Sequence, residues 1–515
     1  MTRSAGGDAP IDEGHRVRRK AVRGASSVAL SRLGNVVDLV SQPLYVWMFG
    51  LPTYGLYQVL WSLVNIGENI FDLGTTSALQ RILPRTTDTL ERARAVRAAL
   101  LLGILPCLLV AACVAAAAPW AASLINAAPD DLPRLVSGIR LFAWALPLWA
   151  IVEVATSAVR ACHAFGPEVR LRLMWEQTAR LIVASILWAA GFTVLGLLIA
   201  HLTSLSITAV AALRLLNRHV PLRDVIGVRA GSAMLRDTFL SGTSVLPANI
   251  LGRVFSDVAT VIANLLAPGS AGASAAGIYT IARKVSSIPQ IVRQTFSYVL
   301  GPIAAAAARG DRATIQGLYD FANRLSLALA LPTCAALIAA GPALLGLFGK
   351  SAESGIMILA ILTTSRGIEA AIGPASSIQQ VIGKRRLPVI NSVVAFVASA
   401  LVLVLFQPIL PGTAIALAVA TGQVVVAALS IGQLSAQEGL RAFAPPFGRT
   451  LGVALLLCLV TGFVGFAAGM VSLGVQAVAV SIVWIASLWL AARLGLTASD
   501  KAALGKGGRL LRIAR

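Results

Sequence analysis

Charged side chains inside long apolar segments are the residues of this sequence best placed to do chemistry. The apolar segment 277–307 carries three basic residues and no acidic one. A straight helix turns by about 100° per residue. One of its stripes would then hold Tyr279, Arg283, Ser287, Gln290 and Gln294, with Arg293 beside the stripe. Such a stripe predicts a surface that faces water or a ligand, whereas the alternative is hydrogen bonding to neighbouring helices.

The third base of this segment, Lys284, lies off the stripe and near the predicted outer end. There its amine could reach the membrane surface. Segment 26–49 carries a second polar stripe, formed by Arg32, Asn35, Asp38 and Gln42. These side chains are also candidate ligand contacts. For Arg32 the alternative is that its side chain reaches the membrane surface, because it is close to the end of the segment.

Three acidic residues of the first two segments are candidates for ion coupling. Glu68 and Asp72 are four residues apart. Two carboxylates on one helical face repel each other unless a proton or a cation lies between them. Asp38 is the third candidate. The alternative is solvation at the nearby end of the segment.

Other charged residues within the apolar segments are spaced so that an acid and a base lie on the same face of one helix. A pair of this kind is either a self-neutralised structural contact or part of a polar cavity, and the sequence leaves both open. The predicted pairs are Glu176 with Arg180, Arg253 with Asp257, and Arg366 with Glu369.

The elements that position these residues are apolar segments of about 20 residues, the length at which a helix spans a bilayer. The chain of 515 residues is 57% hydrophobic and 13% charged, and the segments lack the alternation of barrel strands. We therefore predict an all-α polytopic membrane protein with about fourteen transmembrane helices. The predicted spans are 26–49, 54–76, 98–124, 137–160, 173–192, 193–213, 237–266, 277–307, 322–347, 354–376, 387–409, 411–433, 450–470 and 473–492.

The distribution of basic residues predicts the orientation of these spans. The chain has 43 Lys and Arg residues and a formal net charge of +21. With the N-terminus inside, only Arg134, Arg140 and Lys350 fall in the opposite loops or at the adjoining span ends. This bias is the positive-inside pattern and predicts that both termini are cytoplasmic. The positive charge therefore records membrane topology and does not indicate nucleic-acid binding.

No catalytic residues, metal site or cofactor are predicted. The four histidines lack zinc-ligand spacing, and the sequence contains no phosphate-binding glycine loop and no GxSxG nucleophile motif. The five cysteines show no paired spacing and lie in or beside apolar segments, where packing is the simplest role. The chain is therefore not expected to hydrolyse nucleotides, which argues against a primary ATP-driven pump.

Two similar stretches suggest an internal repeat. Gly55-Leu56-Tyr57 precedes Pro84 by nearly the distance at which Gly277-Ile278-Tyr279 precedes Pro302. Two six-helix halves in the same orientation, followed by two further helices, would produce this pattern. The predicted divisions are a tail (1–25), the first half (26–213), a linker (214–236), the second half (237–433), a loop with two added helices (434–492) and a basic tail (493–515).

Several short motifs resemble one transporter family. They are Phe49–Tyr57, Phe71–Gly74, Ala78–Pro84, Gly277–Tyr279, Gly301-Pro302 and Gly383–Arg385 followed by Pro388 and Asn391. In this order they resemble the Wzx-type polysaccharide flippases of the multidrug/oligosaccharidyl-lipid/polysaccharide exporter (MOP) superfamily.

The resemblance implies that the protein moves an undecaprenyl-pyrophosphate-linked oligosaccharide across the bacterial inner membrane by alternating access, for lipopolysaccharide or exopolysaccharide synthesis. It also implies a polysaccharide polymerase and chain-length machinery as partners. Arg32, Arg283 and Arg293 would then bind phosphate, while Asn35, Gln42, Gln290 and Gln294 would contact sugar. One alternative is a cation-coupled multidrug efflux antiporter of the same superfamily. Another is a membrane polysaccharide polymerase or ligase, although no outer loop is long enough for its active site.

Overall fold

A computed structural model describes residues 34–86, 88–162, 170–243, 246–291, 312–372, 375–382 and 386–504. Every regular element in these ranges is helical. The first half contains α1 (Gly34–Phe49), α2 (Leu51–Phe71), α3 (Thr75–Ile82), α4 (Thr89–Ala116), α5 (Ala118–Ser123), α6 (Leu132–Phe142), α7 (Ala145–Ala161), a π-helical turn (Arg170–Trp175), α8 (Glu176–Ala189) and α9 (Val194–Asn217).

The linker holds the short helix α10 (Leu222–Gly227) and leads to the second half. This half contains α11 (Ser232–Thr243), α12 (Leu246–Leu265), α13 (Gly269–Ser286), α14 (Arg312–Ala339), α15 (Gly341–Gly346), α16 (Ile356–Ile372), α17 (Ala375–Ile382), α18 (Leu387–Phe406) and α19 (Ala414–Glu438). The chain continues through α20 (Phe447–Gly469), α21 (Leu473–Leu490), a π-helical turn (Ala491–Gly495) and α22 (Ala498–Ala503).

Nine helical stretches within the described residues are long and apolar enough to cross a membrane. The predicted total of fourteen spans stays a prediction. Helices α1, α2, α8, α12 and α13 do not belong to the nine, because their described parts are short or carry many polar residues. These helices provide most of the polar contacts described below.

The distribution of apolar and polar side chains is the reverse of that in a soluble protein. Large apolar side chains are exposed around the bundle, such as Leu109, Trp120 and Phe463, while Gln42 and Arg180 are buried within it. Lipid can cover an apolar exterior, but buried polar groups must find partners inside the protein. The protein is therefore a multi-pass membrane protein of the all-α class.

Two backbone features separate α1, α2 and α3. Gly50 has a φ of 80° and is followed by Pro52 in the first turn of α2, so the chain reverses there and a new helix begins. At the other end of α2, Leu73 and Gly74 have φ values of 54° and 70°. The Asp72 carboxylate accepts a hydrogen bond from the Gly74 amide and stabilises this turn.

Helix α2 joins the two halves, because it packs against both α12 and α13. At its crossing with α13, a Cβ on Gly55 would lie only 1.8 Å from the carbonyl oxygen of Ala273. Near the far end of α2, a Cβ on Gly74 would lie 2.3 Å from the carbonyl oxygen of Gly242. The halves therefore touch backbone to backbone at two places where only glycine fits.

Hydrogen bonds between two asparagines link the halves on the face opposite the basic loops. The side chain of Asn264, near the end of α12, accepts from the Asn126 amide at 2.9 Å and donates to its carbonyl at 2.9 Å. The Asn126 side chain in turn donates to the Asn264 carbonyl at 2.9 Å. Each asparagine thus caps the other's backbone across the boundary.

The segment after α21 folds back onto the second half through a buried ion pair. Arg324 of α14 makes a two-pronged contact with the carboxylate of Asp500, at 2.7 and 2.9 Å. The Asp500 carboxylate also accepts from the Thr497 amide at the start of α22. The predicted basic tail (493–515) therefore begins with residues that are part of the packed structure.

Replacement of Asp500 by Ala should leave the Arg324 guanidinium buried without its carboxylate. We expect a loss of about 3–5 kcal/mol in the free energy of unfolding. Glu438→Ala, which breaks a pair with the largely exposed Arg312, should cost at most about 1 kcal/mol. Thermal unfolding of the detergent-solubilised protein measures both, and equal effects would contradict the anchoring role of Asp500.

Replacement of Gly55 by Ala should force α2 away from α13, because the added methyl group meets backbone rather than a movable side chain. Overpacking of this kind costs about 1–3 kcal/mol. Gly452→Ala on α20 is the matched control, since no atom lies within 4 Å of its added Cβ. A lower melting temperature is expected for Gly55→Ala alone, and an unchanged one would show that the crossing is loose.

Candidate functional site: a polar cavity between the halves

A cavity of about 190 Å3 lies inside the bundle, between the first half and α13 of the second half. Helices α1, α2, α7, α8 and the π-helical turn before α8 form the rest of its wall. Its lining is Asp38, Tyr57, Gln58, Trp61, Trp149, Arg172, Glu176, Gln177, Arg180 and Lys284. Among cavities of the described residues, this one brings together bases, acids and aromatic rings.

Three ion pairs contribute to the wall of the cavity. Their N–O distances are 3.1 Å for Lys284–Asp38, 2.7 Å for Arg180–Glu176 and 2.6 Å for Arg172–Glu153. In an apolar surrounding each charge needs such a partner, because an isolated ion would be strongly destabilising. The cavity is therefore close to neutral overall while presenting three cations to a ligand.

The guanidinium of Arg180 is held by a chain of side-chain hydrogen bonds. Its Nη1 donates to the Tyr57 hydroxyl at 3.1 Å, and that hydroxyl lies 2.9 Å from Nδ1 of His201. Since arginine can only donate, the Tyr57 proton is assigned to the His201 bond, which makes Nδ1 the acceptor. His201 packs against the rings of Trp61 and Phe142. This aromatic packing fixes Tyr57 and thereby Arg180.

Asp38 is oriented by neighbours on α1 and α2. The Gln42 amide donates to the Asp38 carboxylate at 2.7 Å, while the Gln42 oxygen accepts from the Tyr54 hydroxyl at 2.8 Å. Gln58 approaches the same oxygen at 3.5 Å. The carboxylate is thus aimed at Lys284 across the boundary between the halves.

Polar atoms of three lining residues have no hydrogen-bond partner within the part of the chain that the structure describes. They are Nε of Arg180, Nε1 of Trp149 and Oε1 of Gln177. Leaving such a group unpaired costs about 1–3 kcal/mol. Two of the three are N–H donors, and rotation of the Gln177 amide would present a third donor. A ligand rich in oxygen acceptors would satisfy them.

The two tryptophans give the cavity an aromatic side. Trp61 and Trp149 meet edge to face with ring centroids 5.2 Å apart. The guanidinium of Arg172 lies over the Trp149 ring, 4.7 Å from its centroid. This cation–π contact holds the base in place while leaving N–H groups for other partners.

A second polar cluster lies within the second half, on α12, α13 and α16. Arg283 contacts Asp257 at 3.2 Å, while Glu369 accepts from Gln290 at 2.7 Å and pairs with Arg366 at 3.3 Å. These contacts involve charges of both signs. Arg283 and Lys284 are therefore each paired with an acid from another helix, which the sequence of one helix cannot reveal.

The predicted stripe of segment 277–307 does not lie on one straight helix. Helix α13 begins at Gly269 and ends at Ser286, and a turn follows before Gln290. Tyr279 is buried in the helix bundle, whereas Arg283 and Gln290 belong to the second cluster. A turn at Ser287–Pro289 interrupts the helix. The rotation of about 100° per residue that defined the stripe therefore does not continue past this turn.

Arg32, Arg293 and Gln294 lie outside the described residues, as do the side chains of Asn35 and Arg253. Their proposed contacts stay predictions.

The expectation for Lys284 was wrong. Because α13 begins eight residues earlier than the predicted span, Lys284 lies in the last turn of the helix, far from the predicted outer end. Its amine pairs with Asp38 and lines the cavity.

The candidates for ion coupling occupy different surroundings. Glu68 and Asp72 are both buried near the end of α2. Asp72 accepts the Gly74 amide and so has a structural partner in the turn, while Asp38 lies in the cavity. Coupling of an ion to any of them stays a prediction.

Sequence reasoning missed Arg172, Trp61 and Trp149. Arg172 had been placed in a loop because the predicted fifth span began one residue later, yet its helical turn starts at Arg170. The tryptophans carried no charge and stood among apolar residues, so no periodic signal marked them. Glu153 within an apolar segment was the available hint, because a buried acid requires a base nearby.

This arrangement is suited to binding a polar molecule. No group of three potential metal ligands occurs among the described residues. The arrangement instead offers fixed donors and cations to one end of a polar molecule. The volume is below the roughly 300–1,000 Å3 of sites that enclose drug-sized ligands, so only part of a large headgroup would fit at once.

The fold is that of the MOP transporters. One similar structure is an inward-facing multidrug-resistance MATE transporter of the MOP superfamily, with 14% identity, a TM-score of 0.68 and coverage of 81% of this chain and 98% of that chain. The lipid II flippase MurJ in an inward closed conformation has 11% identity, a TM-score of 0.65 and coverage of 88% and 97%. A MOP transporter from Pyrococcus furiosus has 15% identity, a TM-score of 0.59 and coverage of 81% and 96%.

Similarity of sequence to a protein family gives a more specific assignment than similarity of fold. The polysaccharide biosynthesis protein family matches residues 51–352, which is more than half of the chain. The protein therefore belongs to this family, in agreement with the resemblance inferred from the motifs. No curated protein matches the chain at a significant level.

The buried pair of Arg180 and Glu176 provides a test that separates stability from binding. Arg180→Met should cost about 3–5 kcal/mol by leaving Glu176 unpaired, and adding Glu176→Leu should recover most of this loss. Thermal unfolding measures both variants. A double variant as unstable as the single one would show that the pair is not the main role of these residues.

Proposed function

We propose that this protein is a flippase that moves a lipid-linked oligosaccharide, carried on undecaprenyl pyrophosphate, between the leaflets of the bacterial inner membrane. The polar cavity would hold part of the headgroup. The lipid tail would stay in the bilayer beside the helices. Rocking of the two halves would then open the cavity to each side in turn.

The unpartnered donors of the cavity are the observation that supports this proposal most directly. Arg180 and Trp149 carry N–H groups without partners in the described part of the chain, next to Arg172 and Lys284. Phosphate and sugar oxygens accept hydrogen bonds, and guanidinium groups bind phosphate especially well. Aromatic rings beside them offer a flat apolar surface for a sugar ring.

The positive-inside pattern supports an orientation with both termini and the basic loops in the cytoplasm. The headgroup would then enter from the side on which sugars are assembled and leave on the periplasmic side. The family membership supports the polysaccharide assignment. A polysaccharide polymerase and its chain-length machinery would use the delivered product.

A cation-coupled multidrug efflux antiporter is the second candidate, because the fold is shared with MATE transporters. A cationic drug would need acids that are free to receive it. In the cavity, Asp38 and Glu176 are both paired with bases. The donors left over favour an acceptor-rich ligand instead.

A reconstitution experiment tests the proposal. Purified protein in liposomes should move a fluorescent undecaprenyl-pyrophosphate oligosaccharide between leaflets, as measured by chemical quenching of the outer leaflet. Arg180→Met with Glu176→Leu should slow this movement at least tenfold, because it removes a phosphate donor while keeping the helix packing. Arg134→Ala, a change at an exposed site, should match the wild type.

Liposomes in which the double variant moves the lipid as fast as the wild type would remove the cavity from the mechanism. Accumulation of ethidium driven by a proton or sodium gradient, without movement of the lipid, would support the efflux antiporter instead.

A further inference from the structure

The ion pairs of the cavity differ in one respect that bears on conformational change. Arg180–Glu176 and Arg172–Glu153 each join two residues of the first half. Lys284–Asp38 joins α13 of the second half to α1 of the first. Among the described side chains, it is the ion pair that crosses between the halves.

We propose that an anionic headgroup displaces the Asp38 carboxylate from Lys284 and so releases this link between the halves. The inference rests on the proposed function, because it requires an anionic ligand in the cavity. Asp38 would be the resident anion of the empty cavity. The pyrophosphate would replace it and pair with the same amine.

The geometry suits such an exchange. The pair is 25% exposed at Lys284 and 29% exposed at Asp38, whereas Arg180 and Glu176 are almost fully buried, at 5% and 3%. A ligand can therefore reach the Lys284 amine without first opening the protein. Lysine also binds as a flexible point charge, so its amine can change partners more readily than a two-pronged arginine.

Asp38 has a partner that would receive it after the exchange. The Gln42 amide already donates to its carboxylate at 2.7 Å. The Gln42 oxygen is held in turn by Tyr54 at 2.8 Å. The released carboxylate would therefore keep a hydrogen bond within the first half. The Lys284 amine would likewise keep a negative partner, now supplied by the ligand.

Displacement would affect only part of the contact between the halves. The Asn126–Asn264 hydrogen bonds and the Gly55 crossing involve none of the residues that line the cavity. They would still join the halves when Lys284 changes partner. Ligand binding would therefore loosen α1 from α13 while α2 keeps its packing against the second half. A change confined to one contact in this way would allow one side of the transporter to open while the other side stays closed.

Competition makes a specific prediction about affinity. If Asp38 competes with the ligand for Lys284, Asp38→Asn should tighten binding of farnesyl pyrophosphate, a short polyprenyl pyrophosphate, by about three- to tenfold. Lys284→Gln should weaken it. A purely structural Asp38 would give unchanged or weaker binding after Asp38→Asn. Binding is measured by tryptophan fluorescence of the purified protein.

Distance measurements test the release itself. Spin labels at Glu91→Cys and Arg386→Cys would report on the two halves on the side of the basic loops, away from the Asn126–Asn264 link, since both positions are exposed. The five native cysteines would first be replaced. We expect farnesyl pyrophosphate to shift the distance distribution of the otherwise wild-type protein. Asp38→Asn without ligand should produce the same shift.

Glu153→Gln is the matched control, because it weakens an acid–base contact of the same cavity within one half. It should tighten binding by freeing Arg172 but leave the distance distribution unchanged. A shift equal to that of Asp38→Asn would overturn the special role of the crossing pair.

The two proposals fail in different ways. Absence of farnesyl pyrophosphate binding to the wild type would contradict the proposed function. Wild-type binding without tighter binding by Asp38→Asn, or without the shared shift in distance, would contradict the displacement alone.

Discussion

The pairing of charge inside an apolar environment is the constraint on which this structure depends. Lipid cannot solvate an ion or a backbone amide, so each buried polar group must be satisfied by protein, water or ligand. The bundle meets this constraint with acid–base pairs such as Arg180–Glu176 and Arg324–Asp500. Where the pairing is incomplete, at Arg180 and Trp149, the protein has a place that a ligand can complete.

The same constraint connects architecture with transport. Glycines allow α2 to lie against the second half with backbones in direct contact. Polar links are concentrated at the cavity and at Asn126–Asn264. A boundary built in this way can change its polar contacts while its tight crossings keep the halves together.

Much of the fold could be predicted from the sequence, because span length and apolarity are local properties. The helical class, the membrane location and the family resemblance all follow from runs of residues and short motifs, and the family match and the fold confirm them. The spacing of Glu176 and Arg180 also placed them on one face, where they form an ion pair.

The contents of the site could not be predicted in the same way. Lys284–Asp38 joins residues 246 positions apart, and helical periodicity carries no information about such a contact. A one-residue error at the start of the fifth span moved Arg172 from the site into a loop. The turn after Ser286 interrupts the straight helix on which the predicted stripe depended, although Arg283 and Gln290 still belong to one polar cluster.

The central claim is that the cavity between the halves binds the headgroup of a lipid-linked anion. An experimental structure with bound undecaprenyl-pyrophosphate oligosaccharide tests it most directly. The account predicts phosphate density within hydrogen-bonding distance of Arg180 and Lys284, beside the Trp149 ring. Phosphate density at the Arg283–Asp257 cluster, with the cavity unchanged, would contradict it.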